Sequence, residues 1–503
     1  MFSTRSLDMT TTLLQKVSLG VALFGTASHA INVQWNSKDS IKEAAATAAY
    51  GLVKFYTGNN TGDVAGNLPA PHFWWEAGAM FGTLVDYWDM TGDESYNNIT
   101  MQALIHQAGK DRDYMPENQT LQMGNDDQGF WVMSAMSAAE KRFPDPPEDE
   151  PQWLGLAQSA FNEWTGRWDE EHCGGGIRWQ VFTFNTGFDY KNTISNGCFF
   201  NTASRLARYT GNKTYAEWAE KIFQWQLDTG LINDNWDVFD GRHVLQDDSC
   251  GKIDRHQWTY NAGVYLVGAA TMWNHTEDEK WRNRTAGLLN NTVDMFFTDQ
   301  VVYEQYCEPS GGCNQDQRTF KGYLLRWLAH TWQVAPFTRD AITPLLRKSG
   351  EAAAAACVGP AIENFRGHDG TACGFTWLPN PQGPFDGKVG VGEQMNALDA
   401  FMYNLVADAR PPVTKSDGGT SRGNPSGGVS DEKKIHRDRP MTVADRVGAG
   451  FVTAILVAGM VAFATWMVWE EKHVLLQPVP PLHGSKRASK LPADQRGGAE
   501  IGQ

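Results

Sequence analysis

Two adjacent carboxylates, Asp126 and Asp127, follow Gly124 and precede a run of residues that is predicted to be a helix. Asn125 with Gln128 three residues later is a helix-start signal, so the pair is expected at a helix N-terminus. Two carboxylates this close cannot both ionise freely, and their repulsion raises the pKa of one of them. A charged carboxylate beside a protonated one can cleave a glycosidic bond. Capping of the helix by the same pair is the alternative, and the motif alone leaves both open.

The composition of the 503-residue chain indicates a large folded protein. Hydrophobic residues make up 41% and charged residues 20% of the chain, which allows a substantial core. The formal net charge of −15 argues against nucleic acid as a partner, because binding phosphates requires clustered Lys and Arg. The chain contains neither a C-x-x-C pair nor an H-E-x-x-H motif, so we expect no metal site and no cofactor.

The N-terminal sequence predicts export. Residues 1–30 are interpreted as a signal peptide, with a short apolar run at 17–27 and small residues before a cleavage site after Ala30. Seven N-x-[ST] sequons favour the secretory pathway, at Asn59, Asn98, Asn118, Asn212, Asn274, Asn283 and Asn290. Seven cysteines lie in the exported part, where disulfides form. The odd number leaves at least one thiol unpaired within the chain, and Cys307 with Cys313 could close a short loop.

A second apolar segment lies near the C-terminus. Residues 447–469 carry no charge and are long enough to span a bilayer, with Trp466 and Trp469 suited to the membrane interface. The residues that follow argue against a GPI signal, which would end in its hydrophobic tail. We therefore predict a flexible linker at 410–446, a retained transmembrane helix at 447–469 and a disordered cytosolic tail at 470–503. The main domain, 31–409, would then face the lumen or the cell exterior.

The main domain alternates helix-like runs with loops. Apolar residues recur at helical spacing within the runs, which lie at about 39–56, 72–90, 94–109, 127–143, 152–168, 194–209, 213–228, 258–273, 277–296, 317–333, 338–357 and 392–407. A weak repeat, in which aromatic residues flank a tight turn, recurs at three junctions between runs and indicates helical hairpins. Six hairpins closed into a ring give an all-α fold, the (α/α)6 barrel of about twelve helices, with a cleft at one rim. Four longer loops, expected to build the site, lie at 169–193, 229–257, 298–316 and 358–391.

Six motifs in this domain resemble glycoside hydrolase family 76, and they occur in the same order over roughly residues 35–407. They are FWWEAGAM at 73–80, NDDQ at 125–128, GGGIRW at 174–179, YKNTISNG at 190–197, WTYN at 258–261 and GEQMNA at 392–397. The resemblance implies an (α/α)6 barrel and an endo-acting α-1,6-mannosidase that retains anomeric configuration. It also implies that Asp126 is the nucleophile and Asp127 the general acid/base.

The fungal branch of the family consists of membrane-attached wall proteins, and its members are thought to transfer GPI-linked wall proteins onto glucan. The resemblance therefore implies mannan or a GPI glycan as donor and offers glucan as an acceptor. Whether water or a sugar hydroxyl is the acceptor stays open. Two other functions stay open as well: a membrane-anchored, non-catalytic glycan receptor, and an (α/α)6 enzyme that acts on another polysaccharide.

The predicted substrate-binding residues flank the aspartate pair or lie in the other motifs. They are Trp74, Trp75, Glu76, Asn125, Gln128, Arg178, Trp179, Tyr190, Lys191, Asn192, Trp258, Tyr260 and Asn261. Packing between helices is the alternative for the two neighbouring tryptophans. A buried Glu76 would need a partner, which Arg178 or Lys191 could supply. A second pair, Asp247 and Asp248, is interpreted as a solvated turn or a substrate contact because no helix start follows it.

Overall fold

Twelve α-helices make up most of the main domain in the computed structural model. The structure describes residues 30–245, 249–362, 365–381, 383–428 and 443–475. In the described part before residue 429 the helices are α1 (Lys38–Val53), α2 (Trp74–Thr91), α3 (Asn97–His106), α4 (Asn125–Lys141), α5 (Trp153–Arg167), α6 (Thr193–Thr210), α7 (Lys213–Asp228), α8 (Thr259–Thr276), α9 (Glu279–Phe296), α10 (Phe320–Val334), α11 (Arg339–Ala356) and α12 (Val391–Met402). Each helix overlaps one of the predicted runs.

The even-numbered helices form an inner ring. They contact one another in the order α2, α4, α6, α8, α10 and α12, and α12 contacts α2 to close the ring. The odd-numbered helices pack against the outside of this ring. Burial follows the same division, because α4 and α6 are buried around almost their whole circumference whereas α7 and α9 bury one face. The two layers make an (α/α)6 barrel, which confirms the predicted fold.

The first turns of the inner helices meet at one rim of the barrel. Asn192, the N-cap of α6, donates a hydrogen bond to Asp126 in the first turn of α4. Arg318, just before α10, pairs with Glu393 in the first turn of α12 at 2.6 Å. Helix N-termini carry partial positive charge, so their convergence favours carboxylates at this rim.

Helix α4 begins one residue earlier than its sequence signal suggests. Gly124 is the N-cap, and Asp127 accepts a hydrogen bond from the Gly124 backbone N at 2.7 Å. In α2, Glu76 accepts from the backbone N of Phe73 at 2.6 Å in the same way. A carboxylate in the first turn that bonds back to the N-cap satisfies a donor that the helix leaves free. The predicted helix start is correct, but Asp127 makes the cap instead of Asn125 and Gln128.

Short β-strands lie in the long loops, where the sequence pattern predicts none. Three antiparallel strands pair in chain order: β1 (Tyr190–Asn192), β2 (Gly241–Val244) and β3 (Cys250–Asp254). A smaller hairpin pairs β4 (Phe297–Thr298) with β5 (Val301–Val302). The disulfide Cys173–Cys250 ties the loop after α5 to β3. Pairing between loops therefore orders this side of the rim.

The remaining cysteines agree with the predictions. Cys307 and Cys313 form a disulfide that closes a short loop, and Cys357 bonds to Cys373. Cys198 is the free thiol among the described cysteines, and it is buried in α6.

The predicted linker does not begin at residue 410. Residues 410–428, here called the strap, are bound to the barrel over their whole length. Val413 donates its backbone N–H to the carbonyl of Glu140 at 2.8 Å, and Asn162 donates to the carbonyl of Gly427 at 2.9 Å. The Gly- and Pro-rich composition suggests flexibility. Turns of such residues, however, leave backbone N–H and C=O groups exposed, and here the barrel forms hydrogen bonds with them. The strap therefore belongs to the helical unit, and the linker prediction is wrong for these residues.

A chain that ends at residue 409 is expected to be less stable than one that ends at residue 430. The shorter chain loses the bonds from the strap to Glu140, Tyr209, Leu154 and Asn162. Each hydrogen bond contributes about 0.5–1.5 kcal/mol net, so the loss of these four should lower the free energy of unfolding by about 2–6 kcal/mol. Urea unfolding of the two proteins measures the difference, and equal midpoints would contradict the role of the strap.

A further helix, α13 (Val443–Leu475), belongs to a second unit of the chain. Within it, Val447–Met467 is long and apolar enough to cross a membrane, with a mean hydropathy of 2.2. The helix continues to Leu475, so the prediction of a disordered tail from residue 470 is wrong for 470–475. The rest of the predicted tail, linker residues 429–442, the signal peptide up to residue 29 and the second aspartate pair lie outside the described residues.

Candidate active site

Asp126 and Asp127 lie at the rim where the inner helices begin. Asp126 is buried, with 9% of its surface exposed, and Asp127 is partly exposed. One oxygen of Asp126 accepts from Asn192 Nδ2 at 3.0 Å, and the other accepts from the Asp127 backbone N at 3.0 Å. Asp127 accepts from the Gly124 backbone N at 2.7 Å. Separate donors therefore hold the two carboxylates.

The two carboxyl groups differ in their affinity for a proton. Burial raises the pKa of Asp126 to about 6, and the hydrogen bond from Asn192 opposes this rise. Burial and the charge of Asp126 together raise the pKa of Asp127 well above its ordinary value. The first proton to leave therefore comes from Asp126, and Asp127 keeps its own. Near neutral pH the pair contains one charged and one protonated carboxyl.

Gly124 lets the two carboxylates approach each other. A Cβ at this position would lie 2.3 Å from Asp126 Oδ1, 3.2 Å from Asp127 Oδ2 and 3.0 Å from Trp179 Nε1. The backbone of Gly124 is extended and suits any residue, so space and not conformation requires glycine here. The same contacts place the indole N–H of Trp179 beside the pair, and its contact with substrate stays a prediction.

Asn125 and Gln128 are enclosed behind the pair. Arg167 Nη1 donates to Asn125 Oδ1 and to Gln128 Oε1, both at 2.7 Å. The amide of Asn125 donates to the carbonyl of Arg178, and that of Gln128 donates to the carbonyl of Asp113. Both side chains are almost fully buried, so the prediction that they contact substrate is wrong. They fix the start of α4 instead.

Lys191 and Arg178 also bind protein groups and not the cleft. Lys191 is fully buried, and its Nζ donates to the carbonyls of His172 and Gly175 at 2.6 Å each. Burial lowers its pKa to about 8. Arg178 pairs with Asp169 at 2.8 Å. Both side chains hold the loop after α5, which corrects their predicted substrate contact.

Asp240 is a third carboxylate at the cleft, and the sequence motifs do not reveal it. Tyr190 donates its hydroxyl to Asp240 at 2.7 Å, and Asn261 Nδ2 donates to it at 3.1 Å. The charge of Asp240 raises the pKa of Asp126, which places it near the pair. Tyr190 and Asn261, both predicted to bind substrate, therefore orient Asp240. Its only sequence signal is an aspartate within a long loop, which is too common to single out.

Asp316 is a fourth carboxylate that the sequence did not identify. Burial and the charge of Glu76 raise its pKa to about 6, and a hydrogen bond from Trp75 opposes the rise. Its charge contributes to the raised pKa of Asp127. Asp316 Oδ1 is buried and has no hydrogen-bond partner among the described residues. The role of Trp75 that the structure supports is therefore indirect: its indole N–H donates to the Asp316 carboxylate.

The residues next to Trp75 in α2 have mainly packing roles. Trp74 stacks on Trp131 with ring centroids 5.3 Å apart, and its indole N–H donates to Gln107 at 2.7 Å. Glu76 is fully buried, and Gln315 and His72 are its side-chain partners at 3.0 and 3.5 Å. The prediction that Arg178 or Lys191 pairs with Glu76 is wrong. A substrate contact by Trp74 or Glu76 is not supported by these bonds.

Tyr260 and Trp258 lie at the start of α8. Tyr260 stacks on Phe320 with ring centroids 3.9 Å apart. Burial raises the pKa of Tyr260 well above its ordinary value, and so do the charges of Asp240 and Asp126, which places the phenol near the pair. Trp258 is 8% exposed and packs edge-on against Phe320 and Tyr306. Trp258 therefore packs behind Phe320, on which Tyr260 stacks, and a substrate contact by Tyr260 stays a prediction.

Replacing Asn192 by alanine is expected to move the acid limb of the pH–rate profile to higher pH. The hydrogen bond from Asn192 favours the ionised form of Asp126, so its loss raises that pKa further. Asn192 also caps α6 by accepting from Ser195 N. Asn192→Ser keeps a capping oxygen but is too short to reach Asp126, so it should shift the profile while preserving more of the stability. An unchanged acid limb in both variants would contradict this role of Asn192.

The fold and the rim together define a class of protein. An (α/α)6 barrel with two adjacent carboxyl groups of unequal proton affinity at one rim has the nucleophile and the acid that a glycoside hydrolase requires. The sequence model of glycosyl hydrolase family 76 matches residues 40–416. The chain belongs to this family.

Two of the similar proteins are yeast enzymes. The chain is 43% identical to mannan endo-1,6-alpha-mannosidase DCW1 of Saccharomyces cerevisiae, over 90% of this chain and 98% of the relative. It is 41% identical to mannan endo-1,6-alpha-mannosidase DFG5 of the same yeast, over 89% and 96% of the two chains. The similarity therefore covers nearly the whole of each relative.

Solved structures give the same fold. The crystal structure of Dfg5 from Chaetomium thermophilum in complex with glucosamine is 47% identical, with a TM-score of 0.75 over 80% of this chain and 99% of that chain. An inactive double-aspartate variant of the α-1,6-mannanase GH76A of Salegentibacter sp. HEL1_6, in complex with α-1,6-mannotriose, has a TM-score of 0.57 at 19% identity. It covers 73% of this chain and 99% of that chain. At that identity the second likeness concerns the fold alone.

Proposed function

We propose that this chain is a retaining, endo-acting α-1,6-mannosidase that acts on mannan in fungal cell-wall biogenesis. The observation that carries the proposal is the pair of adjacent carboxyl groups in the first turn of α4, where Asn192 donates to Asp126 and the Gly124 backbone N donates to Asp127. Burial raises the pKa of both groups, that of Asp127 the more strongly because of the neighbouring charge, which suits Asp126 to act as the nucleophile and Asp127 as the acid. A Cβ on Gly124 would lie 2.3 Å from one oxygen of Asp126 and 3.2 Å from one oxygen of Asp127, so the two carboxyl groups lie close together, as a retaining mechanism requires. The fungal relatives named as mannan endo-1,6-alpha-mannosidases support the choice of substrate.

The reaction proceeds in two displacements at the anomeric carbon. In the first, the carboxylate of Asp126 attacks this carbon while Asp127 gives its proton to the departing glycosidic oxygen. A covalent bond then joins the mannosyl unit to Asp126. In the second, Asp127 takes a proton from the acceptor, whose oxygen attacks the same carbon and releases Asp126. Two inversions restore the original configuration.

The identity of the acceptor decides the outcome of the second displacement. Water gives hydrolysis, and a sugar hydroxyl gives transglycosylation. We propose mannan or a GPI glycan as the donor and glucan as a possible sugar acceptor.

We also propose that the enzyme is a membrane-anchored protein of the secretory pathway, with its barrel on the lumenal or extracellular side. The apolar segment Val447–Met467 would provide the anchor. All seven sequon asparagines are exposed on the barrel, which agrees with a glycosylated, exported domain. Protease protection of the full-length protein in sealed microsomes tests this topology, and cleavage of the barrel from the cytosolic side would contradict it.

Incubation of the full-length protein with linear α-1,6-mannan, with and without a glucan acceptor, tests the proposed function. NMR of the first products should show the α-anomer, with internal cleavage and not release of single mannose units. A β-anomeric product would overturn retention, and new mannose–glucan linkages would identify transfer. Binding without cleavage or transfer would favour a glycan receptor, and activity on another polysaccharide alone would change the substrate class.

A further inference from the structure

A row of packed aromatic rings leads from Tyr260, at the start of α8, to an exposed tyrosine in the loop before α10. Tyr260, near Asp126, stacks on Phe320 at a centroid distance of 3.9 Å. Phe320 packs edge-on against Trp258 at 5.9 Å, and Trp258 packs edge-on against Tyr306 at 5.2 Å. Each ring supports the next, so the position of Tyr306 is set by the same packing that supports Tyr260.

Tyr306 differs from the rings behind it because it is exposed. The exposed fraction of Tyr306 is 53%, against 8% for Trp258 and 6% for Phe320. The residue after it, Cys307, is buried and bonded to Cys313, so a short closed loop holds the tyrosine. An aromatic side chain supported from behind and open in front is preorganised to receive a ligand.

Two polar side chains stand beside the exposed ring. The imidazole of His256 lies edge-on to Tyr306 at 4.2 Å, and its Nδ1 pairs with Asp254 at 2.5 Å. Both polar side chains are 40% exposed, so each has hydrogen-bonding capacity left for a ligand. A hexopyranose combines an apolar C–H face with a rim of hydroxyls. An aromatic ring with adjacent hydrogen-bonding groups complements both features.

We propose that Tyr306, His256 and Asp254 form an outer subsite that binds one neutral hexose unit of a polymeric substrate. This unit lies beyond those that contact the carboxyl pair, because the row of rings separates Tyr306 from Tyr260. The inference rests on the proposed function. It adds that the enzyme prefers a long polysaccharide substrate over a short one. Binding a distant unit holds the polymer across the cleft, which favours internal cleavage.

The full-length protein carrying Tyr306→Ala tests the subsite with two substrates of different length. On long linear α-1,6-mannan, kcat/KM is expected to fall about 3- to 10-fold, mainly through a higher KM, the loss expected from one aromatic contact. On α-1,6-mannotetraose, kcat/KM should stay within about twofold of wild type, the difference that such assays resolve. Tyr306→Phe keeps the ring and should restore most of the activity on the polymer.

Phe184→Ala provides the matched control. Phe184 is another exposed ring, 67% exposed, but it stacks on Phe182 and is not part of the row. It should show no loss specific to the polymer, and an equal loss would overturn the assignment to Tyr306. Equal losses on both substrates in Tyr306→Ala would indicate a structural effect and overturn the subsite. An unchanged KM for the polymer would overturn the subsite alone, whereas a wild-type protein inactive on mannan would overturn the proposed function and the subsite together.

Discussion

The variants Asp126→Asn and Asp127→Asn are each expected to lose nearly all activity on α-1,6-mannan. Asp126→Asn removes the nucleophile, and a loss of about 10⁴-fold or more in kcat is expected. Asp127→Asn removes the group that protonates the leaving oxygen, and about 10²- to 10⁴-fold is expected from general acid–base catalysis. Initial rates of reducing-end release by the full-length protein measure both losses. Near-normal turnover by either variant would contradict its assignment.

An activated donor separates the two roles. A mannoside whose leaving group departs without protonation makes the general acid unnecessary in the first displacement. Asp127→Asn should therefore react with such a donor and accumulate the glycosyl-enzyme, which mass spectrometry detects as a covalent adduct. Asp126→Asn should form no adduct with the same donor. The opposite result would exchange the assignments of the two residues.

Thermal unfolding of the same variants provides the control for folding. Both aspartates have a higher pKa in the folded protein than in the unfolded chain. Their ionisation therefore opposes folding, and wild-type stability falls as the pH rises through about 6. The asparagine variants lack this cost, so at pH 7 they should be more stable, by a free energy on the order of 1–3 kcal/mol. The gain should disappear below the pKa of an unfolded aspartate, about 4.

The barrel was predictable because each helix carries its own local signal. In α7, Tyr215, Ala219, Ile222 and Phe223 lie on the buried face at helical spacing. The repeat of aromatic, turn and aromatic adds the information that successive helices pair. Neither signal depends on contacts between distant parts of the chain. The number and order of the helices could therefore be inferred from local signals, whereas the contact between α12 and α2 that closes the ring joins distant parts of the chain and was expected from the family resemblance.

The strap and the strands were not predictable by this route. A Gly- and Pro-rich segment has the same composition whether it is a flexible linker or is bound to a barrel. Val413 is ordered because it meets the carbonyl of Glu140, a residue far away in sequence. Likewise β1 and β2 pair across a long separation. Long-range pairing leaves no periodic pattern in the sequence.

The site was predictable only in part, for a related reason. Asp126, Asp127 and Trp179 lie together because α4 and the 174–179 motif meet at Gly124. The sequence does not distinguish a polar side chain that binds sugar from one that binds protein. Asn125 has an amide of the kind that binds sugar hydroxyls, yet its oxygen accepts a hydrogen bond from Arg167. Asp240 and Asp316 come from loops that only the folded rim brings together, so no local motif marks them.

Gly124→Ala is expected to reduce kcat on mannan by about 10²-fold or more, because small displacements of catalytic groups cost this much. The added Cβ would lie 2.3 Å from Asp126 Oδ1, so the carboxylate must move. That movement weakens its bonds from Asn192 and from the Asp127 backbone N. Because those bonds favour the ionised form, the acid limb of the pH–rate profile should also move to higher pH.

Gly155→Ala is the control for Gly124→Ala. Gly155 lies within α5, and a Cβ there would meet no atom closer than 3.4 Å. Alanine is the better helix former, so this variant should keep full activity and gain about 0.5–1 kcal/mol of stability. Gly124 has an extended backbone that alanine also adopts, so Gly124→Ala should fold and fail mainly in kcat. A Gly124→Ala enzyme with wild-type kcat and an unchanged pH profile would mean that the position of the Asp126 carboxylate does not limit the reaction.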